Sequence, residues 1–206
     1  MASEQLQILP LCLIMVMGPQ ILTAIFLVTS KEATKNSLAM IVGVALAATL
    51  GLAISSGVVK AIGFDPSTDD GPGTADYIVA GLLAVLAVHV FMTRGTAEVP
   101  KWMSTLQEAD PKRAFTLGFL LILLMPTDIA ASIATANLMN DADLSPAAGW
   151  PLVAGTVLLM ALPFLAYKAL GHRAREAMPG IRDWLTTHSW LVNLVVIVYF
   201  IYEILS

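Results

Sequence analysis

The apolar segment FTLGFLLILLMPTDIAASIATAN, residues Phe115–Asn137, is the most informative part of this 206-residue chain for its architecture. Asp128 is the one charged side chain among its 23 residues, and Pro126 stands close to its middle. A helix needs about 20 residues to cross the hydrocarbon layer of a bilayer. The stretch therefore predicts a membrane-spanning helix that a proline interrupts.

Five further apolar stretches accompany this one, so the sequence predicts an all-α integral membrane protein with six transmembrane helices. Hydrophobic residues make up 57% of the chain and charged residues 13%, which excludes an ordinary water-soluble globule. Backbone amides have no water partner inside lipid, which favours helices over irregular chain. The predicted spans are Leu6–Val28, Leu38–Ile62, Tyr77–Thr93, Phe115–Asn137, Trp150–Leu170 and Trp184–Leu205.

The basic residues predict the orientation of these spans. Of the 11 Lys and Arg residues, nine lie in the connections between spans one and two, three and four, and five and six; Lys168 ends span five on the same side, and Lys60 alone falls on the other side. By the positive-inside rule these connections are cytoplasmic, so both termini face outward. The net charge of −4 also excludes a basic nucleic-acid-binding surface.

A short internal repeat with an offset of 107 residues relates the two halves of the chain. It aligns Pro19 of the motif MGPQ (Met17–Gln20) with Pro126 of the motif MPTD (Met125–Asp128). Three spans per half give the halves opposite directions, as in inverted-repeat transporters. The predicted division is a first repeat over 1–94, a cytoplasmic linker over 95–113 and a second repeat over 114–206.

The two prolines predict a polar site at the membrane midplane, where two interrupted helices meet. Proline lacks an N–H and opens the helix, and the freed carbonyl groups need hydrogen-bonding partners in lipid. Two simple kinks are the alternative interpretation. The candidate substrate or coupling residues are Gly18, Pro19, Gln20, Thr23, Pro126, Thr127, Asp128 and Ser132.

Asp128 is the most informative of these residues, because a charge at the bilayer centre costs at least about 2.5–3.5 kcal/mol. A carboxyl group at that depth faces a cavity, pairs with a cation or carries a proton. We expect Asp128 to couple transport to protons; a protonated carboxyl that only bonds the kinked backbone is the alternative. His89, near the cytoplasmic end of span three, is a candidate relay or an interface residue.

Two further segments carry a pattern. Span two has small residues at four-residue intervals, which predicts a face for close packing against another helix of the chain or a second copy. Segment Gly171–His188 is basic and partly amphipathic, and both a helix on the inner leaflet and an ordinary connecting loop fit it. The small residues of span two are Gly43, Ala47, Gly51 and Ser55.

The sequence predicts neither a cofactor nor a metal nor an enzyme. Cys12 is the one cysteine, and the three histidines have no metal-ligand neighbour at helical spacing. The protease and hydrolase motifs HExxH and GxSxG are missing, and a two-carboxylate mechanism would need a second deep acid.

These features resemble the LysE/CcdA-type superfamily of small six-helix membrane proteins with a 3+3 inverted repeat. The resemblance rests on MGPQ, on the polar stretch and basic loop from Thr29 to Asn36, and on MPTD. Within the superfamily the chain is most similar to the GAP or Sap-like branch, named for lipid-addressing proteins of actinobacteria. The paired cysteines that carry electrons in the CcdA branch have no counterpart here.

The resemblance implies a transport-type function in the cytoplasmic membrane of a prokaryote. The expected function is a small secondary transporter or exporter, coupled to protons, for a small-molecule or lipid-linked substrate that the sequence does not specify. The alternative is a non-transporting accessory protein of a lipid or glycolipid export assembly.

Overall fold

All regular secondary structure in the described part of the chain is helical, which confirms the all-α part of the prediction for those residues. A computed structural model describes residues 11–13, 15–16, 19–62, 81, 84–85, 87–89, 91–92, 105–141, 144–188, 191, 194, 198 and 201. Its helices are α1 Pro19–Val28, α2 Ala33–Ile62, α3 Pro111–Leu124, α4 Pro126–Asp141, α5 Trp150–Leu170 and α6 His172–Thr187. Short 3-10 turns cover Thr105–Glu108 and Pro146–Gly149.

Two of these helices, α2 and α5, are long and apolar enough to cross a membrane. The bent pair α3 and α4 raises the number to three if it counts as one span, whereas α1 is apolar but has only 10 residues. The chain is therefore a membrane protein. Its described residues supply two or three of the six predicted spans, and most of the predicted spans three and six lie outside them.

The helix bounds differ from the predicted spans where polar residues extend a helix beyond the lipid. α5 has the predicted bounds, but α2 begins at Ala33, five residues before the predicted Leu38. α3 begins at Pro111, inside the predicted linker, because Asp110 caps it: the Asp110 side chain accepts a 2.8 Å hydrogen bond from the Arg113 N–H. Trp184, the predicted start of span six, belongs to α6.

The predicted interruption at Pro126 is a bend of 61° between α3 and α4. Met125 has extended backbone angles (φ −70°, ψ 129°), as expected for the residue before a proline. Its carbonyl accepts hydrogen bonds from the N–H groups of Asp128 (3.1 Å) and Ile129 (3.0 Å), which start α4. The bend therefore turns the first turn of α4 into the protein, where Asp128 is buried.

α2 is the central helix and packs against α3, α4 and α5. It crosses α3 so closely that a Cβ atom on Gly118 would lie 2.5 Å from the Met40 carbonyl oxygen, and one on Gly43 would collide with the Phe115 carbonyl oxygen. Gly51 faces α4 beside Ser132. The small residues of span two thus pack within this chain at these two positions.

The outer side of α2 is a stripe of large apolar residues at four-residue intervals. They are between 40% and 58% exposed, which suits contact with lipid and not with water. The stripe consists of Leu38, Val42, Leu46, Leu50, Ile54 and Val58. The core lies on the other side, where α1, α3, α4 and α5 surround α2.

Candidate functional site

A hydrogen bond between the two halves of the chain forms the centre of the candidate site. The Gln20 Nε2 atom donates to Asp128 Oδ2 at 3.0 Å, although the two residues are 108 positions apart. Both side chains are 0% exposed. Gln20 lies in the first turn of α1 and Asp128 in the first turn of α4. The structure thus brings together the residues that follow the two matched prolines.

The surroundings of the Asp128 carboxyl contain few groups that stabilise a charge. The Thr127 hydroxyl lies 3.4 Å from Oδ1, a long hydrogen bond. In the described part of the chain no Lys, Arg or His side chain pairs with this carboxyl, since the ion pairs found there join Lys31 to Glu108 and Lys35 to Glu32. The N-terminal ends of α1 and α4 favour negative charge, whereas burial opposes it.

The Gln20 amide is only half satisfied. Its Oε1 atom is buried and has no hydrogen-bonding partner. A buried acceptor without a partner costs about 1–3 kcal/mol, so this oxygen is available to accept a hydrogen bond. The arrangement therefore offers one acidic oxygen pair and one free amide acceptor, side by side.

The other predicted site residues lie around this pair in different roles. The Thr23 hydroxyl donates to the Pro19 carbonyl at 2.6 Å and so satisfies the start of α1. Ser132 is 3% exposed and packs beside Gly51 of α2. Pro19 is half-buried, but Pro126 is exposed. Pro126 thus acts through the bend of the helix and does not line the site.

Of the remaining predicted residues, one lies outside the described part of the chain and one stands apart from this arrangement. Gly18 lies outside the described residues, together with Met17, so the predicted opening of span one at these positions is not described. His89, the candidate relay, is exposed on its helix, in contrast to the fully buried Gln20 and Asp128. The described residues contain no group of three or more His, Cys, Asp or Glu side chains that could hold a metal ion.

Asn36 is a buried polar residue that the sequence did not single out by itself. Its Nδ2 group donates to the Ser30 hydroxyl at 2.9 Å and to the Ala109 carbonyl at 2.8 Å, and the side chain is 0% exposed. It joins the connection after α1 to the residue before the cap of α3. The one signal for it was its place in the polar stretch that supports the family resemblance.

An apolar groove of about 640 Å³ lies between α2 and α5, away from the Gln20–Asp128 pair. Its walls are lateral faces of the two longest helices, with Trp150 at the start of α5. The polar pair itself is closed to solvent.

These observations define a helical membrane protein in which a proline-bent helix places a buried acid against an amide from the other half of the chain. The chain matches the family model of Sap, sulfolipid-1-addressing protein, over residues 8–205, and it belongs to that family. The predicted Sap-like membership is thus confirmed, and the wider LysE/CcdA-type superfamily stays a prediction. No curated protein and no solved structure matches the chain.

Proposed function

We propose that this protein is a proton-coupled secondary transporter or exporter whose central site is the Gln20–Asp128 pair. The observation that carries the proposal is the buried carboxyl of Asp128 at the bend between α3 and α4, which bonds Gln20 of the other half of the chain and pairs with no Lys, Arg or His among the described residues. Intramembrane acids without a structural counter-ion are typical of proton relays in pumps and transporters.

The architecture we propose for this function is the predicted one: six spans in a 3+3 inverted repeat, with both termini outside the cytoplasmic membrane. In such folds the substrate site lies where interrupted helices of the two repeats meet. The hydrogen bond between Gln20 in the first turn of α1 and Asp128 in the first turn of α4 supports this proposal. Membership of the LysE/CcdA-type superfamily belongs to the same proposal, as does the absence of enzymatic chemistry.

The pair can serve both protonation states of the carboxyl. An ionised Asp128 accepts hydrogen bonds from Gln20 Nε2 and the Thr127 hydroxyl. A protonated carboxyl carries an O–H that needs an acceptor, and Gln20 Oε1 is an acceptor without a partner. Rotation of the Gln20 amide would thus replace the hydrogen bond to the ionised carboxyl by one from the protonated carboxyl. Asp128 would therefore keep a hydrogen bond to Gln20 when it gains or loses a proton.

The family description supports a lipid cargo, since it names sulfolipid-1 addressing. A lipid-linked substrate would move at the protein–lipid boundary while its polar head uses the buried polar site. The same description supports the second candidate, an accessory protein that positions a lipid-export assembly without transporting anything itself.

The test is movement of a labelled sulfated lipid across proteoliposomes under an imposed pH gradient, with wild type compared to Asp128→Asn. Thr135→Val is the matched control, because Thr135 is a buried polar residue on the same helix that bonds only its own backbone. We expect pH-driven movement to vanish in Asp128→Asn and to persist in Thr135→Val. Unchanged movement in Asp128→Asn removes Asp128 from the mechanism.

The accessory function makes a different prediction for the same preparation. The isolated wild-type chain would move no sulfated lipid at any pH gradient, and it would copurify with another membrane protein in fixed stoichiometry. Lipid movement by the purified chain therefore distinguishes a transporter from an accessory protein.

A further inference from the structure

The helix α6 lies outside the Gln20–Asp128 site and begins where a membrane-spanning helix ends. Gly171 alone separates it from α5. Gly171 has a φ of 54°, a conformation that favours glycine, and its N–H donates to the Tyr167 carbonyl at 3.1 Å. Because α5 is long enough to cross the bilayer, this turn places the start of α6 at the membrane surface.

α6 folds back onto the ends of α1 and α5 and does not project into water. Met178 is 4% exposed and packs against Ile25 of α1, with Ala166 and Tyr167 of α5 beside them. A helix of 16 residues is about 24 Å long. α6 is therefore anchored at one point along its length to two apolar helices.

Beyond this anchor α6 exposes large apolar side chains. Ile181 is 45% and Trp184 is 53% exposed, and residues three apart share a helix face. The Trp184 ring stacks on His188, with 4.7 Å between the ring centroids. Exposed apolar surface next to the membrane boundary suits the interface between headgroups and chains, where tryptophan is enriched.

The charged positions of α6 are arranged around this apolar face. With Met178 included, this face runs from Met178 through Ile181 to Trp184; at about 100° per residue, sequence position 173 falls on the flank next to Trp184, and positions 175 and 182 fall on the flank next to Met178. Glu176 and Asp183 fall on the opposite side of the helix. Basic flanks with acids turned away from the apolar face are the arrangement that attracts a helix to an anionic lipid surface.

We propose that α6 lies in the plane of the membrane interface and binds anionic phospholipid, with its basic flanks at the headgroups and Ile181 and Trp184 among the lipid chains. The contact of Met178 with Ile25 then joins the lipid surface to α1, the helix that carries Gln20. The proposal concerns a surface that is separate from the central site and does not depend on transport.

The first experiment measures the depth of Trp184 in the full chain. A variant that keeps Trp184 as its single tryptophan is placed in nanodiscs with brominated phosphatidylcholine or with soluble iodide. We expect strong quenching by the brominated lipid and weak quenching by iodide. A variant that keeps only Trp150, at the start of α5, is the control for a residue in contact with lipid. Strong quenching by iodide alone would place α6 in water and overturn the proposal; protection from both quenchers would indicate a protein partner and overturn it as well.

The second experiment measures the dependence on lipid charge in detergent. We expect phosphatidylglycerol to raise the thermal unfolding temperature of the wild type more than phosphatidylcholine does. Replacement of Arg173, Arg175 and Arg182 by Gln should abolish this difference. Replacement of Lys31, Lys35 and Lys112 by Gln removes the same charge elsewhere and should preserve it. Loss of the difference between the two lipids in both triple variants would contradict binding at α6. A difference that persists in both variants would contradict it as well.

Discussion

The amide of Gln20 donates to the carboxyl of Asp128 at 3.0 Å, and neither side chain has any exposed surface. Each residue follows a proline at the same relative place in its half of the chain. A proline at the start of a helix frees backbone groups, and polar side chains in the first turn compensate for them. The contact therefore follows from two local interruptions and ties the two halves together.

We predict that the Gln20–Asp128 contact shows a measurable coupling energy. In a double-mutant cycle of Gln20→Ala and Asp128→Ala, the free energies of unfolding should be non-additive by about 0.5–3 kcal/mol, because each single change leaves a buried polar group without its partner. Detergent-denaturant titration of the four proteins measures this. The pair Gln20 and Thr135 serves as the control and should be additive; additivity for Gln20 and Asp128 would show that the hydrogen bond has no energetic weight.

Replacement of the exposed proline at the bend should straighten the broken helix. Pro126→Ala restores an N–H and removes the ring that excludes a continuous helix. With spin labels at the exposed Thr116 and Asn140, on a background of Cys12→Ser, we expect the label distance to increase by about 5 Å as the 61° bend relaxes.

Electron paramagnetic resonance distance measurements test this change. Pro163→Ala is the control, since Pro163 lies inside α5 and outside the bent pair. An unchanged distance in Pro126→Ala would mean that packing of α4 against α2 produces the bend. The proline would then occur at the bend without causing it.

The sequence predicted the helical class, the membrane environment and the interruption at Pro126, because each depends on local chemistry. A run of about twenty apolar residues has few stable structures other than a membrane-spanning helix, and a proline within it interrupts the helix. The helix ends were predicted less accurately, because hydropathy identifies only the apolar part of a helix and not its polar ends. The polar residues before Leu38 remain helical in α2, and Asp110 caps α3 outside the apolar stretch.

The particular contacts of the site could not be predicted, since they depend on how the halves pack. Gln20 and Asp128 were both candidates, but their direct hydrogen bond requires the 61° bend and the position of α1 together. The exposure of Pro126 depends on how α4 is rotated about its axis, which the sequence does not specify. Asn36 donates to the backbone carbonyl of Ala109, 73 residues away. Every residue type has such a carbonyl, so the sequence does not show which one Asn36 contacts.

The buried Asn36 should stabilise the protein more than the ion pair beside it. Asn36→Ala leaves the Ala109 carbonyl and the Ser30 hydroxyl without their donor, at a cost of about 1–3 kcal/mol. Lys31 and Glu108 lie 3.8 Å apart with side chains 82% and 80% exposed, so Lys31→Ala should cost little.

Thermal unfolding of both variants at low and high salt decides between these contributions. We expect a clear, salt-independent loss for Asn36→Ala and a small loss for Lys31→Ala that salt removes. If the two variants lost equal stability, the buried hydrogen bonds of Asn36 would not hold the ends of α1 and α3 together.

The close crossing of α2 and α3 predicts that replacing glycine by alanine has opposite effects at the crossing and away from it. Gly→Ala in a helix with open space raises stability by up to about 1 kcal/mol, because alanine loses less backbone entropy on folding. Nothing lies within 4 Å of a Cβ atom at Gly57, so Gly57→Ala should leave stability unchanged or raise it. Gly43→Ala and Gly118→Ala instead place a methyl group on a carbonyl oxygen of the facing helix, and we expect a loss of about 1–3 kcal/mol or more.

The buried thiol of Cys12 provides the measurement for this series. Cys12 is the sole cysteine and is 1% exposed, so a thiol-reactive fluorescent dye reports unfolding as the protein is heated. Unfolding temperatures should rank Gly57→Ala at or above wild type, with Gly43→Ala and Gly118→Ala below it. Because backbone atoms are the obstacle at both crossing positions, no side-chain rotation can relieve the contact. A tolerated methyl group at both would therefore mean that α2 and α3 do not cross at the distance seen here.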